Sequence, residues 1–157
     1  MQRISVVSSR PFEAVLAAVE AALGHPDIRF FQSGINAAKT LADIEAMVHK
    51  TAGPSGLIET ARFDLGIVIR KDPGHEGSKI VRLLIGNPLV MKEMVKHVPD
   101  AGSYAPVSVL IDERPDGVHL SYDTMAGFLA PYGNEEALKV ARKLDGTVEQ
   151  VLRHAAA

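Results

Sequence analysis

Residues 79–124 read KIVRLLIGNPLVMKEMVKHVPDAGSYAPVSVLIDERPDGVHLSYDT, and they predict the architecture of the chain. Residues 80–85 form a short apolar run rich in β-branched side chains, which is typical of a buried strand. Gly86-Asn87-Pro88 ends that strand and predicts a helix start, because Asn is a good N-cap and Pro suits the first helical turn. The helix then carries apolar side chains at helical spacing on one side: Val90, Met91, Met94, Val95 and Val98.

Two further strands follow this helix. Residues 107–111 are apolar and β-branched, and residues 118–122 alternate between apolar and polar side chains, as a strand with one buried face does. Pro115-Asp116-Gly117 between them predicts a tight turn, because Pro presets φ and Gly accepts a positive φ. Strands joined by tight turns pair in antiparallel fashion.

The N-terminal half adds strands and helices. Residues 3–7 predict a first strand, and the apolar spacing from Phe12 to Leu23 predicts a helix that Gly24 closes. Residues 28–32 suggest a short extended segment, which Ser33 to Asn36 break. Residues 40–50 predict a second helix. The pattern of residues 57–70 predicts a strand, with one face formed by Phe63, Leu65, Ile67 and Ile69.

The C-terminal end predicts one long helix. Residues 123–133 are apolar without a regular period, so they indicate an irregular connection. Asn134 is a good N-cap, and acidic residues follow it in the first turn, where the helix dipole favours them. An apolar stripe then runs to about Arg153: Ala137, Ala141, Leu144, Val148 and Val151.

This order of elements predicts an α+β fold with an antiparallel sheet of about five strands and helices packed on it. In the strand at 80–85, apolar side chains point to both faces, with Val81, Leu83 and Ile85 on one and Ile80 and Leu84 on the other. A sheet that is apolar on both sides needs helices or a second subunit on each. We therefore expect a homodimer, while the chain's own helices remain the other way to cover the second face.

Composition narrows the functional classes. At 157 residues the chain is expected to form a single domain, residues 1–157. It has no cysteine, which excludes thiol nucleophiles, cysteine-ligated zinc and disulfides and fits a cytoplasmic location. The formal net charge is −2 with no clustered basic patch, so nucleic acid is not an expected partner. No apolar run approaches the length of a membrane span, so no membrane association is expected.

The sequence predicts no metal site. Six histidines are dispersed along the chain, and no two have the i, i+4 spacing of a helix or the i, i+2 spacing of a strand that would place two ligands on one face. No cofactor-binding motif is recognised, and the cofactor is left unassigned.

The run from Arg82 to Met91 that contains Gly-Asn-Pro, followed by the strand pair from Tyr104 to Asp123, resembles the domain-of-unknown-function 302 family. The resemblance is best over residues 57–130, while residues 30–56 look like a helical insertion. It implies a small α+β domain with a topology similar to TATA-binding-protein-like folds, commonly dimeric. It implies no activity and supplies no catalytic residue.

Candidate site residues cluster near the Asn-Pro helix and the strand ends. Asn87, Met91, Tyr104 and Tyr122 could line a pocket between this helix and the sheet, since such pockets join apolar walls to a few polar groups. The alternative is that the methionine fills a gap in the core and Asn87 is only a cap.

His119 joins the candidates because it shares one strand face with Ser121 and Asp123. Side chains at i and i+2 on a strand are about 6.5–7 Å apart, too far for a nucleophile–base hydrogen bond. A polar sheet face is therefore favoured over a hydrolase site. We expect a module that binds a small ligand or a protein without catalysis; the alternative is a small enzyme with its pocket at the junction of the Asn-Pro helix and the sheet.

Overall fold

The computed structural model describes all 157 residues and contains a six-stranded sheet. Its strands lie in the order β1-β6-β5-β4-β3-β2, and all neighbours are antiparallel except β2 and β3, which are parallel. The α+β class is confirmed, whereas the expectation of about five strands, all antiparallel, is wrong. A two-residue strand is too short to leave a period-two pattern in the sequence. The strands are β1 (Arg3–Ser8), β2 (Leu23–Gly24), β3 (Leu57–Asp64), β4 (Ile80–Gly86), β5 (Val107–Arg114) and β6 (Gly117–Asp123).

Seven helices accompany the sheet, together with 3-10 turns at Pro99–Ser103 and Ala130–Tyr132. Asn87 and Asn134 cap α5 and α7 through their side chains, as the sequence predicts. None of the seven combines the length and the apolar content that a bilayer crossing requires. The helices are α1 (Phe12–Ala21), α2 (Ile28–Ala37), α3 (Leu41–Thr51), α4 (Gly66–Ile69), α5 (Pro88–Val95), α6 (Met125–Leu129) and α7 (Glu135–Ala156).

The main hydrophobic core lies between one face of the sheet and helices α1, α5, α6 and α7. Strand alternation brings every second side chain of the three central strands to this face, where all are buried. Helices α2 and α3 form a smaller core with β3 around Phe31, Val48 and Ile58. The sheet residues of the main core are Val81, Leu83 and Ile85 from β4, Val107, Val109 and Ile111 from β5, and Val118, Leu120 and Tyr122 from β6.

The opposite face of the sheet, here called the outer face, carries Arg82, Leu110 and Ser121 in one row across β4, β5 and β6. The apolar side chains that β4 turns to this face, Ile80 and Leu84, are half-buried. The helices of the main core therefore cover one face of the sheet and leave the outer face uncovered, apart from the end at Ile58 on which α2 and α3 pack.

Residues 28–37 form a helix, so the expected extended segment at 28–32 and the break at 33–36 are wrong. Asp27 caps this helix by accepting a hydrogen bond from the backbone N–H of Phe30 at 3.0 Å. Ile28, Phe31 and Ile35 have helical spacing, which outweighs the strand preference of the individual residues because it lets α2 bury one side.

The predicted strand at 57–70 ends at Asp64, and residues 66–69 form the short helix α4. Arg70 closes this turn with an ion pair to Asp64 at 3.0 Å and a hydrogen bond to the carbonyl of Ser78 at 2.9 Å. The expected strand face is consequently absent, and its four side chains are exposed: Phe63, Leu65, Ile67 and Ile69.

The connection before the last helix is more regular than expected. Thr124 accepts a hydrogen bond from the N–H of Gly127 at 3.1 Å and thereby caps α6. The prediction of an irregular segment at 123–133 is therefore wrong, because five helical residues are too few to show a period. The Asn-Pro helix ends earlier than its apolar pattern suggests, at Val95, although Val98 is still buried.

Candidate functional site

A large cavity lies where α2 and α5 meet the end of β4, and we call it the α2–α5 cavity. Its volume is about 640 Å³, which is within the usual range of small-molecule sites. Helix α2 supplies Ile28, Phe31, Gln32, Ile35 and Asn36, and α5 supplies Val90, Met91 and Met94.

The Gly86-Asn87-Pro88 turn forms the floor of this cavity. Asn87 accepts a hydrogen bond from the N–H of Leu89 at 2.8 Å and donates one from its amide nitrogen to the carbonyl of Gly56 at 2.9 Å. Both ends of its amide are therefore used by the chain, so Asn87 holds α5 against the loop before β3. Its main part at this site is to position the wall, with one N–H of the amide left over.

The lining of the α2–α5 cavity is mostly apolar and contains no ionisable side chain. Eleven of the 18 lining residues are hydrophobic. Among the polar ones, Thr60 donates to the carbonyl of Leu84 at 3.2 Å, whereas the amides of Gln32 and Asn36 have no hydrogen-bond partner in the chain. These two lie one turn apart on α2. The cavity thus offers apolar contact and two free amides to a ligand.

The five side chains that the sequence singles out do not meet in one place. Asn87 and Met91 line the α2–α5 cavity, and Tyr104 lines a second cavity. Tyr122 is buried in the main core, and His119 lines neither cavity. Of the polar candidates, Asn87, His119 and Tyr122 thus lie in three different surroundings, and Tyr104 lies in a fourth.

Tyr122 belongs to a buried hydrogen-bond network with α7 and α6. Its hydroxyl donates to Asp145 at 2.6 Å, and the same carboxylate accepts from the N–H groups of Met125 at 2.8 Å and Ala126 at 3.0 Å. Burial, followed by the bond to Asp145, raises the pKa of the Tyr122 hydroxyl far above its ordinary value. All polar atoms here are paired within the protein, so the network joins structural elements rather than forming a reactive site.

Sequence reasoning missed Asp145, although a signal for it exists. The residue lies on the apolar stripe of α7, four residues after Ala141 and three before Val148. A carboxylate in such a stripe is buried on folding and must find hydrogen-bond donors. Its position predicts a buried network, but it does not identify Tyr122 as the partner.

His119 lies on the outer face and bonds to the turn beside it. A ring nitrogen is 2.7 Å from the carboxylate of Asp116, and this bond lowers the pKa of Asp116. Ser121 and Asp123 follow on the same face, where Asp123 is held by two bonds of 2.7 Å from Arg3. The three side chains form a polar face without a nucleophile–base contact, as the spacing predicts. No group of three or more His, Asp or Glu side chains is arranged to hold a metal ion.

The second cavity, about 330 Å³ in volume, opens on the outer face, and we call it the sheet-face cavity. The Tyr104 ring borders it and stacks on Phe128 with centroids 4.7 Å apart. The Tyr104 hydroxyl is 3.1 Å from that of Tyr132. The polar part of the lining comes from Arg3, Arg82, Ser103, Ser108, Ser121 and Asp123.

Comparison with known proteins identifies relatives by family and by fold. The model of the family described as "Domain of unknown function DUF302" matches residues 35–155. A crystal structure of an uncharacterized conserved DUF302 protein from Bacillus stearothermophilus is similar, with a TM-score of 0.68 and 10% sequence identity. The similarity covers 99% of this chain and 98% of that chain. No protein with a curated description matches the chain.

Proposed function

The chain belongs to the DUF302 family, and from that premise we propose that it is a binding module for an uncharged, largely apolar small molecule held in the α2–α5 cavity. The observation that carries this proposal is the cavity of about 640 Å³ whose lining is mostly hydrophobic and has no ionisable side chain. Burying a charged ligand there without a partner would cost several kcal/mol. A neutral ligand avoids that cost.

The lining also suggests how such a ligand is oriented. Its apolar body contacts Phe31, Ile85 and Met94, which are buried, while the free amides of Gln32 and Asn36 receive one polar group. Proton transfer needs an acid or base within hydrogen-bond reach of the substrate, and the lining residues supply none. These features support binding over the enzyme alternative.

The proposal predicts that the protein binds 1-octanol, which has an apolar chain and one hydroxyl. In a titration followed by ¹H-¹⁵N NMR, we expect saturable shifts in residues 28–36 and 86–94. Octanoate has the same chain with a carboxylate, and it is expected to bind at least about tenfold more weakly because its charge finds no partner. Equal binding of octanoate, or shifts spread over other parts of the chain, would contradict the proposal.

Two variants make this test specific. Met91→Trp places a larger side chain at the cavity wall and is expected to weaken octanol binding at least about tenfold. Leu41→Trp is the matched control, since Leu41 is similarly exposed on α3 and does not line the cavity. If Met91→Trp binds octanol as well as Leu41→Trp does, the ligand lies elsewhere.

We also propose that two copies associate through the apolar segment 65–69. Leu65, Ile67, Val68 and Ile69 are all more than a third exposed, and Val68 is 76% exposed. A contiguous exposed aliphatic segment favours an interface, and a two-fold dimer would cover the segment with its own copy.

The dimer predicts a mass of twice 16.8 kDa in size-exclusion chromatography with light scattering. Val68→Asp is expected to shift the protein to the monomer, because it places a charge at the centre of the contact. Val7→Asp, at another exposed valine on β1, is expected to leave the mass unchanged. A monomeric wild type at about 0.1 mM would overturn this proposal, since a stable interface has a Kd well below that value.

A further inference from the structure

We propose that the sheet-face cavity is a second binding site and that it takes a small organic anion, a carboxylate or a phosphate monoester, through the guanidinium group of Arg82. The cavity, of about 330 Å³, lies on the outer face of the sheet and is lined by other residues than those of the proposed octanol site, apart from Pro106 and Val107. The proposal for one site can therefore fail without affecting the proposal for the other.

Arg82 carries a positive charge that no carboxylate of the chain compensates. Its Nε donates to the hydroxyl of Ser108 at 2.7 Å, and its guanidinium lies 5.8 Å from the centre of the Phe63 ring. The other arginines on this face are paired, Arg3 with Asp123 and Arg114 with Asp112. The Arg82 side chain is thus held in place while its two terminal nitrogens stay free, which is the geometry that binds two anionic oxygens.

Ser121 supplies a second polar group at the same cavity. It is only 9% exposed, it lines the cavity, and its hydroxyl makes no hydrogen bond within the chain. No buried side-chain polar atom of the chain is left without a partner, so the Ser121 hydroxyl is accessible from the cavity that it lines. Ser121 and Arg82 lie on either side of Leu110 in one row across the sheet, so their Cα atoms are about 9.5 Å apart by strand spacing. An anion bound by Arg82 can extend toward this hydroxyl.

The other residues that line the sheet-face cavity indicate the charge and the shape of the ligand. Arg3 and Asp123 neutralise each other through two hydrogen bonds of 2.7 Å, so Arg82 leaves one net positive charge. The stacked aromatic rings of Tyr104 and Phe128 supply an apolar part of the lining. An anion with an aromatic body complements this charge and these rings, and benzoate is the simplest probe that has both.

The test is a ¹H-¹⁵N NMR titration of the full chain with benzoate, phenyl phosphate and benzamide. Either anion is expected to shift residues 82, 108 and 121, and the tighter of the two identifies the carboxylate or the phosphate as the preferred group. Benzamide has the same ring without the charge and is expected to bind at least about tenfold more weakly. Failure of both anions to bind at 10 mM, or equal binding of benzamide, would overturn the proposal.

Variants assign the binding to Arg82. Arg82→Gln removes the charge from an exposed side chain and is expected to weaken anion binding at least about tenfold. Arg142→Gln removes an exposed charge on α7 and is expected to change nothing. Ser121→Ala is expected to weaken binding severalfold. If Arg82→Gln keeps the wild-type affinity, the anion is bound by another group and the assignment is wrong.

Discussion

Replacing Asp145 with Ala is expected to lower the free energy of unfolding by about 3–5 kcal/mol, because it leaves three donors, two of them buried, without an acceptor. The Tyr122 hydroxyl and the N–H groups of Met125 and Ala126 all bond to this carboxylate. Asp145 therefore joins α7 to β6 and to the start of α6. Urea unfolding followed by circular dichroism measures the loss.

Graded variants separate the parts of this network. Tyr122→Phe removes one donor and keeps two, so its expected cost is about 1–2 kcal/mol. Asp145→Asn keeps the shape but offers one acceptor oxygen, and its cost should fall between those of Tyr122→Phe and Asp145→Ala. Glu149→Ala is the control on the same helix, where the surface pair with Arg153 is worth at most about 1 kcal/mol. The role assigned to Asp145 is wrong if its replacement costs no more than that of Glu149.

Replacing Gly53 with Ala is expected to destabilise the fold by about 2–3 kcal/mol, because the added methyl group has no room. A Cβ atom there would lie 2.6 Å from the carbonyl oxygen of Ala22 and 2.7 Å from the amide nitrogen of Gly24. Both contacts are with backbone, which cannot turn away as a side chain can. The loop after α3 would have to move from β2 and lose the bond between Ser55 and Ala22.

Replacing Gly146 with Ala is expected to stabilise the fold, in contrast to the same replacement at Gly53. Gly146 lies inside α7 with no atom near the position of a Cβ. Alanine there should stabilise the helix by about 1 kcal/mol and raise the Tm by about 2–4 °C. Differential scanning calorimetry of the Gly53→Ala and Gly146→Ala variants compares their Tm values with that of the wild type. A Gly53→Ala protein as stable as the wild type would show that the loop adjusts without cost.

Local sequence patterns predict the elements from β4 to β6 well. The apolar run of β4, the Asn87 cap and the Pro115-Asp116-Gly117 turn each act over a few neighbouring residues, and all three occur in the structure. The cap of α7 at Asn134 is correct for the same reason. A cavity does lie at the Asn-Pro helix, but a large part of its lining comes from α2, which is distant in sequence.

The errors fall where a local pattern supports two structures or is too short to show a period. Residues 28–32 are rich in strand-forming side chains, yet they are helical because one face of α2 is buried against α3 and β3. Residues 65–69 alternate as a strand does, but Arg70 bonds to Asp64 and Ser78 and turns the chain into α4. The pairing of β2 with β3 depends on two residues only.

Short-range chemistry is sufficient for most strands, caps and turns, since their residues are neighbours in the chain and interact before the fold is complete. The two cavities and the buried network depend on side chains that are distant in sequence. Ile28 and Leu144 both line the α2–α5 cavity, and Arg3 and Phe128 both line the sheet-face cavity. In the network, the hydroxyl of Tyr122 bonds to Asp145. Side-chain packing in three dimensions selects those partners. The residue pattern therefore predicts the α+β frame, and the packing of that frame determines which of its side chains are free to bind.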